Sequence, residues 1–299
     1  YDAPQKDLYE IGEMPPLGYV PKQMYAWAIR RERHGEPDKA MQIEVVETPS
    51  IDSNEVLVLV MAAGVNYNGI WAGLGVPISP FDGHGAPYHV AGSDASGIVW
   101  AVGDKVKNWK VGDEVVVHCN QDDGNDEECN GGDPMYSPTQ RIWGYETPDG
   151  SFAQFTRVQS QQLMPRPKHL TWEESACYTL TLATAYRMLF GHEPHELKPG
   201  MNVLVWGASG GLGSYAIQLV NAAGGENMGD KVIPGESGTI TPEKVLESDP
   251  DMIIATGGDW SEMKDDEGHP VGYAAVGYGI DEKEAKGSVA KLLGKQAGF

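Results

Sequence analysis

The sequence predicts an α/β protein in which a β-rich first half leads into the start of a doubly wound sheet. Three observations carry this expectation. From about residue 23 to 165, short β-branched runs alternate with glycine-aspartate turns. After them, "LTWEESACYTLTLATAYRMLF" carries apolar residues at helical spacing. Finally "NVLVWGASGGLGSYAIQL", Asn202 to Leu219, has the order strand, glycine turn, helix.

Taken in order, the opening stretch to residue 22 is polar and proline-rich, which predicts a coil-prone arm. It lacks the basic start and apolar run of a secretory signal. "QIEVVETP" and "NEVLVLVMAAGVNYN" are β-branched and alternating, bounded by Pro49 and by Asp52, Ser53 and Asn54. "AGSDASGIVWAVGDKV", "WKVGDEVVVHC" and "GSFAQFTRVQSQQLMPRP" continue the pattern, so residues 23–165 are expected to form a compact β-barrel-like domain. Thr171 then stands as the N-cap of a single long helix, with acids in its first turn. A polar connector ending in Lys198, Pro199 and Gly200 leads into the strand "NVLVW". Residues 166–223 are thus expected to open a second domain, and 224–299 to form a tail of different texture.

The 299 residues suffice for about two domains, and no apolar run has the length of a membrane helix. There are 43 acidic and 22 basic residues, a formal net charge of −21. That surface repels nucleic-acid backbones and anionic membranes, so neither is expected as a partner. The basic clusters Arg30–His34 and Arg166–His169 are expected to be solvated surface. The three cysteines, Cys119, Cys129 and Cys177, lack metal-like spacing and predict reduced thiols in a cytoplasmic protein. The acidic loop "CNQDDGNDEECNGGDPM" matches no calcium spacing and is expected to be a solvated loop.

In "GASGGLGS" the glycines are Gly207, Gly210, Gly211 and Gly213, with Ser209 and Leu212 among them. Glycine tolerates the positive φ and close backbone approach that a bound pyrophosphate demands. The helix following, Leu212 to Val220, would aim its free N–H groups at the phosphates. This combination favours a dinucleotide site over a purely structural turn. The next strand is expected to be missing, because "NAAGGENMGDKVIPGESGTITPEK" has no run of adequate strength. Asp230 stands near the spacing of a ribose-reading acid, but by coincidence, and the residues alone do not separate NAD from NADP.

The β-module followed by "VLVWGASGGLGSYAIQL" resembles the medium-chain dehydrogenase/reductase superfamily, which implies a GroES-like domain and a Rossmann-type cofactor domain. Where its zinc enzymes carry Cys and Gly-His-Glu, this chain has "GVNYNG" and "AGSDASG", so no metal site is expected. More narrowly, "GVNYNGIWAG", "PYHVAGSDASG", "RIWGYETPDGSFAQF" and "LTLATAYRMLFG" are similar to crotonyl-CoA carboxylase/reductases, over residue 1 to about 223. The resemblance implies hydride transfer from NADPH to the β-carbon of an enoyl-CoA, attack of the enolate on CO2, and a homo-oligomer. It implies Asn68, Tyr145 and Glu146 as catalytic residues, with Gly207, Ser209, Gly210, Gly211, Leu212 and Gly213 holding NADP. The neutral amide of Asn68 is a donor suited to CO2 and to the carboxylate formed from it. An ionised Glu146 would repel that carboxylate, so it is expected to act through water. On residue type alone, Asn68 also suits a turn and Glu146 a surface carboxylate.

From about 224 the resemblance changes. "GGENMGDKVIPGESGTITPEKVLESDPDMIIATGGDW" is similar to part of periplasmic siderophore-binding proteins, with Thr241 as N-cap, Pro242 in the first turn and "MIIAT" as a buried strand. The chain is therefore expected to be a chimera whose cofactor domain is incomplete and whose catalysis is impaired. A plain enoyl-thioester or quinone reductase, and a ferric-siderophore-binding protein, stand as alternatives. Val203–Val205, lacking both natural neighbours, is expected to pair in parallel with Ile253–Ala255.

Overall fold

The computed structural model describes residues 4–191, 196–229, 244 and 247–255. The chain divides into two units, Tyr1–Leu180 and Thr181–Phe299. The architecture is mixed α/β, as the sequence predicts.

The first unit opens with strand β1 (Gln23–Ile29), helix α1 (Pro37–Ala40), β2 (Gln42–Glu47) and β3 (Glu55–Ala63). Helix α2 (Tyr67–Leu74), β4 (His89–Val90), β5 (Ala95–Val102), β6 (Glu114–Val117), β7 (Asn120–Gln121) and β8 (Arg141–Ile142) follow. It closes with β9 (Phe155–Gln159), β10 (Leu163–Pro165) and helix α3 (Trp172–Ser175). The main sheet has the order β10-β6-β5-β3-β9, and a smaller one the order β2-β1-β4. The two sheets meet at the bridge Ala26↔Ala153 without closing into a barrel.

Strand β3 shows why this half folds. Val56 and Val58 face one apolar cluster with Val99, Val115, Val117, Trp143 and Val158. Leu57 and Leu59 face the other, with Met24, Val46, Trp100 and Phe155. A strand buried on both faces needs apolar residues at consecutive positions, which "VLVLV" supplies, and each such side chain contributes about 1.5–3 kcal/mol.

The amino-terminal arm is irregular in backbone but pinned. Tyr9 is buried, donates its hydroxyl to the Pro4 carbonyl at 2.8 Å, and offers its own carbonyl to Gln154. Trp100 Nε1 donates to the Tyr19 carbonyl at 2.7 Å. The predicted strand ending in "GVNYN" stops at Ala63, and its last residues begin α2 instead.

Thr171 caps as expected: its hydroxyl accepts from Glu174 N at 3.2 Å and Glu174 accepts from Thr171 N at 2.8 Å. The helix it starts is short, however. It ends at Ser175, and a separate helix, α4, runs over Thr179–Phe190.

In the second unit, β11 (Asn202–Trp206) leads into α5 (Gly211–Ala222), then β12 (Glu226–Asn227) and β13 (Met252–Ala255). The sheet order is β12-β11-β13, with both pairs parallel. β13 pairs as expected but one residue out of the anticipated register, with Val203 opposite Met252 and Val205 opposite Ile254. The second strand, expected to be missing, is present as two residues. Gly224, at φ 76°, turns the chain back, and Glu226 N and Met228 N then donate to the carbonyls of Met201 and Val203. Val203, Val205, Ala216, Val220, Met252 and Ile254 share one buried cluster with Ala185 and Leu189. The expected cap at Thr241 and Pro242, and Asp230, lie outside the described residues.

Candidate functional site

Helix α2 starts where β3 leaves the sheet, and its first turn carries Asn68. The Asn68 Nδ2 lies 2.7 Å from Ser93 Oγ, and Asn68 Oδ1 is buried with no hydrogen-bond partner. Two residues earlier, Asn66 Nδ2 donates to Asp94 Oδ2 at 2.8 Å. The segments "GVNYNG" and "AGSDASG" are thus tied by two side-chain amides. Among the described residues, no group of three His, Cys, Asp or Glu is arranged to hold a metal ion.

Asp94 is fully buried, and its Oδ1 accepts from the Thr179 hydroxyl and, at 2.8 Å, from Leu180 N. Burial raises its pKa, while the hydrogen bonds from Thr179, Asn66 and Leu180 pull it down. Sequence reasoning passed over this carboxylate, although an acid within the small-residue run just before β5 was the available signal.

Tyr145 and Glu146 occupy the turn after β8. Gly144, at φ 75°, brings this turn against the loop bearing Ser93, since a side chain on it would collide with the Gly92 carbonyl. Tyr145 is buried with Ile29, Ala72, Phe81 and Ala91, and its hydroxyl donates to the Ile78 carbonyl at 2.6 Å. Burial raises its pKa, and the neighbouring Glu146 adds to the shift. Glu146 Oε2 accepts from Ile142 N at 2.7 Å, so one carboxylate oxygen serves its own turn. Asn68 and the Gly144–Glu146 turn therefore both border the loop Ala91–Asp94.

Behind that turn sit two histidines that no sequence pattern marked. The rings of His84 and His89 are stacked, with centroids 5.2 Å apart. Phe81 packs edge-on to His89.

The glycine turn of the second unit follows β11. Gly207 has φ 78°, and Gly210 is the N-cap of α5 without a side-chain cap. A Cβ on Gly213 would meet Ala208 Cα at 2.7 Å and collide with the Gly207 carbonyl. Gly207, Ser209, Gly210 and Gly211 are exposed, and Leu212 is half-buried at the start of α5. The uncapped amides of a 12-residue helix and the close backbone approach fit a pyrophosphate. Beside them, β12 offers two residues at the position of a ribose-reading strand.

Other charged features are internally satisfied. Arg30 and Arg33 each reach Glu44 at 2.6 Å and Arg31 reaches Asp82 at 3.1 Å, so that cluster is ion-paired rather than merely solvated. Arg166 pairs with Glu114 at 2.6 Å and lies over the Trp172 ring. In the acidic loop, Asp126 accepts from Cys129 N and from the Ser137 hydroxyl, and the Ser137 bond is the main cause of its lowered pKa. Cys119, Cys129 and Cys177 are free.

Residues 52–168 match the alcohol dehydrogenase GroES-like domain. Over 229 residues the chain is 89% identical to a crotonyl-CoA carboxylase/reductase of Cereibacter sphaeroides, covering 77% of this chain and 53% of that protein. A solved crotonyl-CoA carboxylase/reductase superposes with a TM-score of 0.74 at 69% identity, covering 83% of this chain and 57% of that one. The 2-octenoyl-CoA carboxylase reductase CinF, solved in complex with NADP and 2-octenoyl-CoA, gives a TM-score of 0.65 at 37% identity, covering 79% and 56%. The chain spans about half the length of the curated relatives it matches. Its fold is that of a GroES-like domain followed by a Rossmann-type unit, and its amino-terminal part is similar to crotonyl-CoA carboxylase/reductases in both sequence and structure.

Proposed function

We propose that this chain carries the carboxylating site and the pyrophosphate turn of an NADPH-dependent reductive carboxylase that converts crotonyl-CoA to ethylmalonyl-CoA. The observation that supports the reading most is the 89% identity over 229 residues to a crotonyl-CoA carboxylase/reductase. Asn68, Tyr145 and Glu146 all lie within the matched GroES-like domain.

NADPH, when bound, supplies the hydride that reduces the β-carbon of the enoyl thioester. Gly207, Ser209, Gly210, Gly211, Leu212 and Gly213 would hold its pyrophosphate, the glycines by letting the backbone come close and the free N–H groups at the start of α5 by donating to it. The Asn68 amide donates to the oxygens of CO2, and the interaction strengthens as they gain carboxylate charge. Tyr145, held by the Ile78 carbonyl, walls the pocket and keeps out water that would protonate the enolate and divert the reaction to simple reduction. Glu146, whose Oε2 accepts from Ile142 N, acts on CO2 through a water rather than by direct contact.

Residues 23–165 are assigned as the catalytic domain and 166–223 as the start of the cofactor domain. The tail from about 224 to 299 is assigned a separate origin related to siderophore-binding receptors, with the chain working in the cytoplasm as a homo-oligomer. The test follows NADPH oxidation with crotonyl-CoA, with and without bicarbonate. Ethylmalonyl-CoA formed only with bicarbonate supports the proposal. Butyryl-CoA alone favours a plain reductase, and no turnover overturns the reaction assignment. Quenching of tryptophan fluorescence by a ferric siderophore, absent with the free metal, tests the origin of the tail.

A further inference from the structure

The segment 78–84, "ISPFDGH", lies against the turn that carries Tyr145 and Glu146, and it is tied down along its length. The Ile78 carbonyl accepts from the Tyr145 hydroxyl at 2.6 Å. Ser79 is held by His34, whose Nδ1 donates to the Gly73 carbonyl at 3.1 Å and whose Nε2 stands 2.9 Å from the Ser79 hydroxyl. Phe81 is buried beside the rings of His34, His84 and His89. The last tie is the hydrogen bond of 3.0 Å between His84 Nε2 and His89 Nδ1.

Gly83, one residue before His84, bears on Glu146 itself. A Cβ built there would stand 3.1 Å from the Glu146 carbonyl oxygen and 3.3 Å from Glu146 Cα. The turn is also seated on the chain that follows His89, since Gly144 presses on Gly92 and Gly150. Val90 N donates to the Pro148 carbonyl, and Gly150 N to the Val90 carbonyl, each at 2.8 Å. His89 is itself anchored in β4, opposite Ile29 of β1. The bond between the histidines therefore joins the segment lying on Glu146 to the strand on which the turn is seated. Because His89 is fully buried, removing the partner of its Nδ1 leaves a buried acceptor unpaired, which loosens that junction.

We infer that His84 is a positioning residue for Glu146: its hydrogen bond to His89 clasps the segment 78–84 over the Gly144–Glu146 turn and fixes where the Glu146 backbone stands. The inference rests on the reading of Glu146 as a residue of the carboxylating site.

The test uses the full chain labelled with 15N-glutamate, with the Glu146 backbone signal identified by its loss in Glu146→Gln. That signal should be displaced in His84→Phe, which keeps a ring and loses the hydrogen bond. It should return toward its parent position in His84→Gln, whose side-chain amide can bond to His89. Gly83→Ala, at an ordinary φ of −85°, should displace it too, because the added methyl group crowds the Glu146 backbone. With NADPH, crotonyl-CoA and bicarbonate, the ratio of ethylmalonyl-CoA to butyryl-CoA should fall about fivefold in His84→Phe, the weight of one ordinary hydrogen bond. NADPH oxidation should keep its rate, and His84→Gln should restore the ratio. An unmoved Glu146 signal in His84→Phe, or a ratio lowered as far by His84→Gln, overturns the inference. If His84→Phe does not fold, an unmoved signal in Gly83→Ala overturns it instead. A parent chain that makes no ethylmalonyl-CoA overturns the reaction assignment, while the Glu146 signal still decides whether the clasp positions the turn.

Discussion

The Nε2 of His84 lies 3.0 Å from the Nδ1 of His89, and Ala86 N donates to the other nitrogen of His84 at 3.3 Å. The second contact makes His84 Nδ1 an acceptor, so its proton sits on Nε2 and is donated to His89. Both rings are therefore neutral in the folded chain. Burial, then the repulsion that two protonated rings would exert on each other, pushes His89 down to about 3, and burial with Arg31 pushes His84 down as well. A depressed folded pKa means that the unfolded chain takes up protons first. Stability is thus intact above about 6.5 and is lost as pH falls toward 3, by up to about 1.4 kcal/mol per pH unit for each group. Raised Asp94 and Asp149 act in the opposite direction, so the histidine share is read from a variant. Urea denaturation at pH 7.5, 6.0 and 5.0 should show a shallower acid loss in His89→Gln, and equal slopes would refute the assignment.

Asp94 should be among the costliest positions of the first unit. Its removal takes an acceptor from Leu180 N and from the Asn66 amide, while the Thr179 hydroxyl keeps the Val117 carbonyl. Asp94→Ala is expected to destabilise by about 3 kcal/mol or more, against about 1 kcal/mol for Thr179→Val. Chemical denaturation checks the ranking, and a larger loss in Thr179→Val would contradict it.

At the glycine turn, Gly213→Ala forces a methyl group into the Gly207 carbonyl, an overpacking cost of about 1–3 kcal/mol. Gly207→Ala incurs the strain of a positive φ, roughly 1–2 kcal/mol. Titration calorimetry with NADPH should show weaker binding in both variants. Full retention in Gly213→Ala would mean that the turn does not hold the cofactor.

Ile254 is buried opposite Val205. Ile254→Asp puts an unpaired charge in that cluster and unseats β13, which bares one edge of β11. Light scattering should report aggregation of this variant at concentrations where the parent chain stays dispersed. A monodisperse variant would show that β13 is dispensable.

Much of the first unit was legible because its information is local. The β-branched runs of β5, β6 and β9 and the glycine-aspartate turns beside them state strand and turn within a few residues. The break between α3 and α4 was not, because the acceptor at the start of α4 is Asp94, 85 residues earlier than Thr179. Nor was β12, whose "EN" has no strand preference and exists because β11 offers an unpaired edge. In the site, Asn68 was reached through resemblance and the glycine turn through its spacing. Ser93, Asp94 and the histidine pair carry no motif, and their meaning arises only when distant loops are brought together.

The parallel pairing of β11 with β13 has a consequence for the order of events during synthesis. Asn202 N and Asp251 Oδ2 are hydrogen-bonded at 2.7 Å across 49 residues, so the sheet of the second unit closes late. The amino-terminal unit, complete by Leu180, emerges from the ribosome and folds while β11 still lacks a neighbour on one side. Pausing translation between these points leaves an apolar parallel strand exposed beside a finished domain. Chaperone demand should therefore concentrate in that interval rather than after release of the whole chain.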